Sequence, residues 1–358
     1  MSFHEKLFTP GPTEVRSELL QALSTPQIHH RSEEFSQLYD RVQQKLQELL
    51  YTDNPVFLYS SSSTGAMESA VTNGVEKRCL NLVNGAFGDR WHRITKRNGV
   101  PCDKVELEWG KAIKPELVEE EVSSGDYDAI TLVFNETSTG MMNPLREIAQ
   151  VMEKYEDVLL LVDAVSGMAG AQIKFDDWGL DMCLAGAQKA FSLPAGLSVA
   201  AVSEKMLERA EEVPNRSYYF NLPLYLKYHK RSQTRSTPAI PQIFALHEAL
   251  DHIVNEEGVQ ERFDRHEKLA NIVQEWAQRN FDIFPEEGYW SQTLTCVENT
   301  RGISVAELNE TLQKDYGARI SNGYGDLKEE TFRIAHMGDV SEIEIRGLLA
   351  TIDSILGL

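Results

Sequence analysis

Short runs of uninterrupted apolar residues recur along the first two thirds of the chain. Each is followed by Gly, Ser, Asn or Asp and then by a helical pattern. Val56 to Tyr59 leads into a serine-rich loop and a helix from about Gly65. Leu80 to Val83 precedes Asn84-Gly85, and Ala129 to Phe134 precedes Asn135. Val158 to Val162 precedes Asp163, Met182 to Ala185 precedes Gly186, and Leu197 to Val202 closes the series. A strand with one wet face alternates polar and apolar side chains, whereas a strand covered on both faces does not. The runs therefore predict an α/β fold with a mainly parallel sheet between layers of helices. Ligands collect at the carboxyl ends of strands in such sheets, so the polar residues just named are candidate site residues.

The pattern changes after about Thr237. Pro238 to Glu256, Val259 to Asn280, Val305 to Tyr316 and Ser341 to Leu356 read as charged amphipathic helices, with a strand-like Thr331 to Ala335 between the last two. Ser341 and Glu344 have the spacing of a capping box. The expectation is a large domain over residues 14–237 and a smaller α+β domain over 238–358, with residues 1–13 packing near the latter.

Composition narrows the partners. The chain has 358 residues and a formal net charge of −20, which opposes binding to nucleic acid or to an anionic membrane surface. An anionic substrate needs a local cationic pocket set into this acidic body. The four cysteines, Cys79, Cys102, Cys183 and Cys296, form no CxxC pair, so neither a metal site nor a disulfide framework is expected. No apolar signal core at residues 1–8 and no membrane-length apolar stretch are visible, and the cytoplasm is the expected compartment.

Three stretches carry chemistry. Lys189, in Gly186-Ala187-Gln188-Lys189, follows a buried strand among small and apolar residues. Burial there lowers the amine's affinity for its proton, as imine chemistry requires. Taken alone, a lysine after a strand is more often a solvated loop residue. Asp163 ends another apolar strand and needs a partner if buried; a protonated pyridine nitrogen is one, and a helix N-cap is the simpler alternative. Ser60-Ser61-Ser62-Ser63-Thr64-Gly65 stands directly before a helix, where free amides and hydroxyls suit a phosphate or serve only as caps. All three fall at strand carboxyl ends.

With these stretches in view the chain resembles the class V aminotransferases of fold type I. The resemblance is carried by Thr9-Pro10-Gly11-Pro12-Thr13, His30-Arg31-Ser32, Ser63-Thr64-Gly65-Ala66-Met67-Glu68, Asn84-Gly85-Ala86-Phe87-Gly88, Asn135-Glu136-Thr137-Ser138-Thr139-Gly140, Val162-Asp163-Ala164-Val165-Ser166-Gly167, Gly186-Ala187-Gln188-Lys189, Ser236-Thr237-Pro238 and Phe332-Arg333-Ile334-Ala335-His336-Met337-Gly338, in this order. It implies pyridoxal 5′-phosphate as cofactor and a homodimer with shared active sites. Ser62, Ser63, Thr64 and Gln188 are implied to hold the phosphate, Phe87 to stack on the ring, and Thr137 to approach the ring hydroxyl. Asp163 is implied to pair with the ring nitrogen, Lys189 to form the Schiff base, and Arg333 to bind the substrate carboxylate. Thr237 is implied to reach the phosphate of the neighbouring subunit's cofactor. Thr234 stands where some relatives place a phosphate-binding Tyr.

The activity so implied is ping-pong transfer of an amino group between an L-amino acid and a 2-oxo acid. His30-Arg31-Ser32 followed by Glu34-Phe35 resembles a phosphate-binding stretch of phosphoserine aminotransferases and tilts the expectation toward phosphoserine and 2-oxoglutarate. The rest of the chain looks more like the alanine–glyoxylate and serine–glyoxylate branch. A cysteine desulfurase needs a mobile nucleophilic Cys in the last third. Cys296 is the candidate, and Leu294-Thr295-Cys296-Val297 reads as a buried strand where a thiol is inert. A non-catalytic protein of the same fold has no need of Lys189 or Asp163.

Overall fold

The computed structural model describes residues 4–214 and 217–358. Seven strands form one sheet: β1 (Val56–Tyr59), β2 (Cys79–Val83), β3 (Cys102–Glu106), β4 (Ala129–Val133), β5 (Leu159–Asp163), β6 (Met182–Gly186) and β7 (Ser198–Val202). Their spatial order is β1-β7-β6-β5-β4-β2-β3. The neighbours from β6 to β3 pair in parallel, while β7 runs antiparallel to both β6 and β1.

Uninterrupted hydrophobicity has a direct cause here. In β5, Leu160 and Val162 pack into the core on one face of the sheet and Leu159 and Leu161 into the core on the other. Each such side chain contributes roughly 1.5–3 kcal/mol relative to exposure. The edge strand β3 carries Asp103, Lys104 and Glu106, is wetted on part of its surface, and does not stand out as an apolar run.

Helices cover both faces. α1 (Ser17–Ala22) and α2 (Glu33–Leu50) lie with the first core; α3 (Ser63–Gly74) and α4 (Ala86–Arg97) follow β1 and β2. α5 (Pro115–Ser124) and α6 (Leu145–Met152) follow β3 and β4, and α7 (Glu204–Glu212) and α8 (Leu222–His229) follow β7. α9 (Ile240–Asp251), which the expected division at residue 238 places with the smaller unit, packs in the first core through Ile240, Ile243, Leu246 and Leu250. The amphipathic stretch after Pro238 is also less uniform than its periodicity suggests. Residues His252–Glu257 widen into a π-helical turn that ends at Gly258, where φ is +91°.

The C-terminal part has its own core. α10 (Val259–Asn280) packs with β8 (Asp282–Ile283), β9 (Leu294–Glu298), α11 (Val305–Tyr316), β10 (Ser321–Asn322), β11 (Thr331–Ala335) and α12 (Glu342–Leu356). These four strands form an antiparallel sheet in the order β8-β9-β11-β10. Ser341 and Glu344 close a reciprocal capping box at the start of α12. The N-terminal Lys6 and Leu7 pair with Ala318 and Arg319 of this part, and Phe8 joins its core.

Candidate active site

β5 ends on Asp163 and its neighbour β6 ends on Gly186, three residues before Lys189, so adjacent parallel strands deliver both groups to one sheet edge. A cavity of about 240 Å³ opens there. Gly11, Ser62, Ser63, Thr64, Met67, Phe87, Arg90, Asp163, Val165, Gln188 and Lys189 line it. Asp163 is 2% exposed and Lys189 7% exposed, so Lys189 is no solvated loop residue.

Both groups are held away from their ordinary ionisation. Burial pushes the Asp163 carboxyl up to about 7, against the single amide bond that its Oδ1 accepts from Val165 at 2.8 Å. Burial likewise brings the Lys189 amine down to about 8, partly countered by the charge of Asp163. The Lys189 amine donates to the carbonyl of Pro10. A carboxyl and an amine held in one pocket with displaced affinities are typical of a reactive site.

The wall beside them is made by close packing. Gly186 has no side chain because a Cβ there would stand 2.3 Å from Ser63 Oγ and 2.6 Å from Gln188 Oε1. Those two oxygens are buried and lack any hydrogen-bond partner in the protein. α3 starts at Ser63 with no side-chain cap, leaving the amides of Ser63 and Thr64 free beside the cavity while that of Gly65 donates to the Ser62 carbonyl at 2.9 Å. Unpartnered polar atoms, free helix amides and the hydroxyls of Ser62 and Thr64 make a receptor for an anion of phosphate type.

Phe87 forms the opposite wall at the start of α4. Its placement depends on Glu136, a fully buried residue. Glu136 Oε2 accepts from the amides of Phe87 and Gly88 at 3.0 and 3.1 Å, and Oε1 from the amide and hydroxyl of Ser138 at 3.1 and 2.5 Å. A carboxylate thus occupies the N-terminus of α4, the positive end of its dipole. Gly85 permits this approach, since a Cβ there would lie 2.4 Å from Glu136 Cγ.

Arg333 sits beside the cavity on β11. Its guanidinium donates to the Thr137 carbonyl at 3.1 Å and to the Asn322 carbonyl at 3.0 and 3.2 Å. It is 8% exposed and has no carboxylate partner among the described residues. The Thr137 hydroxyl bonds to Ser166 at 2.5 Å. His30, Arg31 and Thr237 do not line the cavity. The Arg31 fork donates to the carbonyls of Thr234 and Arg235 at 2.7 and 3.3 Å and stacks on Tyr228, and Thr237 is exposed.

The arrangement of an imine-competent lysine, a buried carboxylate, an anion cradle and a flanking aromatic ring is matched by comparison. The family model for aminotransferase class-V fits residues 13–324. The chain belongs to the class V aminotransferases. A relative described as an uncharacterized aminotransferase of Methanocaldococcus jannaschii is 35% identical, over 98% of this chain and 92% of that one. The serine–glyoxylate aminotransferase of Arabidopsis thaliana is 30% identical over 98% of this chain and 90% of its own length. The solved alanine–glyoxylate aminotransferase of Nostoc sp. superposes with a TM-score of 0.93 at 26% identity, covering 99% of this chain and 96% of that one.

As a class V aminotransferase the protein uses pyridoxal 5′-phosphate, and the orphaned oxygens of Ser63 and Gln188 and the underpartnered Asp163 fit that cofactor. The desulfurase alternative lacks its nucleophile: Cys296 is buried in β9, and burial pushes its thiol up to about 11. Two residues escaped the sequence reading. Arg90 lies three positions after Phe87 on α4, a spacing that puts both on one helix face. Glu136 sits in a motif that was legible, but its capping of a distant helix was not.

Proposed function

We propose that the cavity around Lys189 is where this aminotransferase moves an amino group between an L-amino acid and a 2-oxo acid. One observation carries the reading: Lys189 and Asp163, both buried, line one cavity, and burial brings the lysine amine down to about 8. Bound pyridoxal phosphate supplies an aldehyde and an electron-accepting ring. Lys189 would be the amine that holds this aldehyde and, when free, the base that would take the proton from the substrate Cα at Nζ. Asp163 holds a proton-bearing ring nitrogen. Ser62, Ser63, Thr64 and Gln188 would hold the phosphate, and Phe87 would stack on the ring. Thr137, whose hydroxyl bonds to Ser166, would approach the ring hydroxyl. Arg333 binds the substrate α-carboxylate with a planar fork.

The glyoxylate-type relatives, named for serine, alanine or L-aspartate, support one of these amino acids as donor and glyoxylate as acceptor. The phosphoserine expectation drew on His30-Arg31. The Arg31 fork is engaged by Thr234 and Arg235 outside the cavity, which leaves that expectation without support inside one chain. A homodimer in which Thr237 completes the neighbour's phosphate site accounts for the exposure of Thr237. The four free thiols suit the cytoplasm, and among the described residues no helix is long and apolar enough to cross a membrane.

Borohydride reduction of the holoenzyme followed by peptide mass mapping tests the reading. The cofactor adduct is expected on Lys189, and Lys189→Ala is expected to lose both adduct and transamination. An adduct on another lysine, or an active Lys189→Ala protein, would sink it.

A further inference from the structure

Arg90 projects into the cavity one turn into α4. Its guanidinium carbon lies 4.5 Å from the centre of the Phe87 ring, and Nη2 donates to the Tyr324 hydroxyl at 3.3 Å. No carboxylate stands within ion-pair distance of it among the described residues. Its charge is felt inside the site, where it draws the affinities of both Asp163 and Lys189 for a proton downward. A guanidinium kept half-buried without an acidic partner is costly unless something anionic completes it.

Tyr324 connects this cation to the second one. Its hydroxyl meets Arg90, and its ring lies 5.5 Å from the guanidinium carbon of Arg333 and 5.6 Å from the ring of Phe87. Two arginines without carboxylate partners among the described residues therefore converge on one tyrosine, and one of them, Arg90, lines the cavity. Arg333 is braced on all three nitrogens by backbone carbonyls. Arg90 is held only by an aromatic face and one long hydrogen bond, so it is the one free to turn toward a ligand. The protein carries a formal charge of −20, and a doubly anionic substrate needs such a local cationic pair to enter.

We propose that Arg90 is a second carboxylate receptor and that it selects dicarboxylic substrates: an acidic L-amino acid as donor or a dicarboxylic 2-oxo acid as acceptor. Arg333 takes the α-carboxylate, Arg90 the side-chain carboxylate, and Tyr324 orders the two forks. The proposal rests on the aminotransfer reading of the site and names its substrate class.

The test uses the holoenzyme and two probes. In half-reactions, the kcat/KM ratio of aspartate or glutamate over alanine is expected to fall about 100-fold in Arg90→Met, the size expected when one partner of a desolvated charge pair is removed. Arg90→Lys is expected to restore part of that ratio. In calorimetry, succinate is expected to bind the native holoenzyme more tightly than propionate and to lose that advantage in Arg90→Met. A merely structural role for Arg90 lowers aspartate and alanine turnover together, and that result overturns the proposal. So does succinate binding that is indifferent to Arg90→Met, or a larger loss for phosphoserine than for aspartate. Failure of the underlying reading looks different: no amino acid, alanine and serine included, converts the wild-type cofactor, while the succinate measurement still decides whether Arg90 receives a carboxylate. Retention of the cofactor absorbance and far-UV dichroism in Arg90→Met shows that the variant is folded.

Discussion

A Cβ on Gly11 would stand 2.7 Å from both Cδ and Cε of Lys189, so the lysine stem packs against bare backbone. The same glycine has φ +92°, a region that a side chain disfavours. Gly11→Ala therefore meets both strain, of order 1–3 kcal/mol, and a displaced lysine. Turnover is expected to fall about 100-fold, the usual consequence of misplacing a reacting group by an ångström. Single-turnover kinetics on folded protein checks this; wild-type rates would show that the lysine stem has room elsewhere.

Gly186 plays the matching part for the anion cradle. In Gly186→Ala the new methyl meets Ser63 Oγ and Gln188 Oε1, the two oxygens left without protein partners. Cofactor affinity is expected to weaken at least tenfold, or about 1.4 kcal/mol, with little change in fold. Fluorescence titration of cofactor-free protein measures it, and an unchanged Kd would place the phosphate elsewhere.

The paired ionisations predict an unusual stability profile for the cofactor-free protein. Folded Asp163 keeps its proton to about 7, whereas its ordinary value is 3.8. Between these values the folded state binds more protons than the unfolded one, so stability falls as pH rises. Lys189 gives up its proton near 8 when folded and at 10.5 ordinarily. Over that range the unfolded state holds more protons, and stability rises with pH. The two effects place a minimum in the melting temperature between about pH 7 and pH 8. Asp163→Asn, which keeps an oxygen for the Val165 amide, is expected to melt several degrees higher than wild type at pH 7.5 and to match it near pH 4. A variant that melts lower at pH 7.5 would count against a strained carboxylate.

Arg262 is fully buried, with Nη1 bonded to Glu257 at 2.9 Å and to Asp339 at 2.7 Å. Its Nη2 donates to the carbonyl of Ala190, the residue after Lys189, at 2.6 Å. Asp339 also receives Arg16 at 2.7 Å. Asp339→Asn leaves a buried guanidinium undercompensated and is expected to cost about 3 kcal/mol, read from the urea midpoint. A loss below the range of an exposed ion pair would mean that water reaches Arg262.

Much of this protein is readable along the chain. β5 and β6 announce themselves because burial on both faces demands unbroken apolar runs, which also favour a parallel sheet, although only turns and no helix join these two strands. Strand ends pointed to Lys189, Asp163 and the Ser62–Ser63–Thr64 stretch, while Gln188 and Phe87 came from the family resemblance. The charged edge strand β3 was not readable, because an edge needs no continuous hydrophobicity. Nor was the reversed direction of β7, since an apolar run carries no polarity.

What the linear order determined is which groups stand at the ends of buried strands, because burial writes itself into hydrophobic pattern. Only the folded chain decided which of them share a cavity, which oxygens stay without a partner, and that Arg90 meets Tyr324 rather than an acid. Those outcomes depend on contacts between residues tens to hundreds of positions apart, and local periodicity holds no record of them.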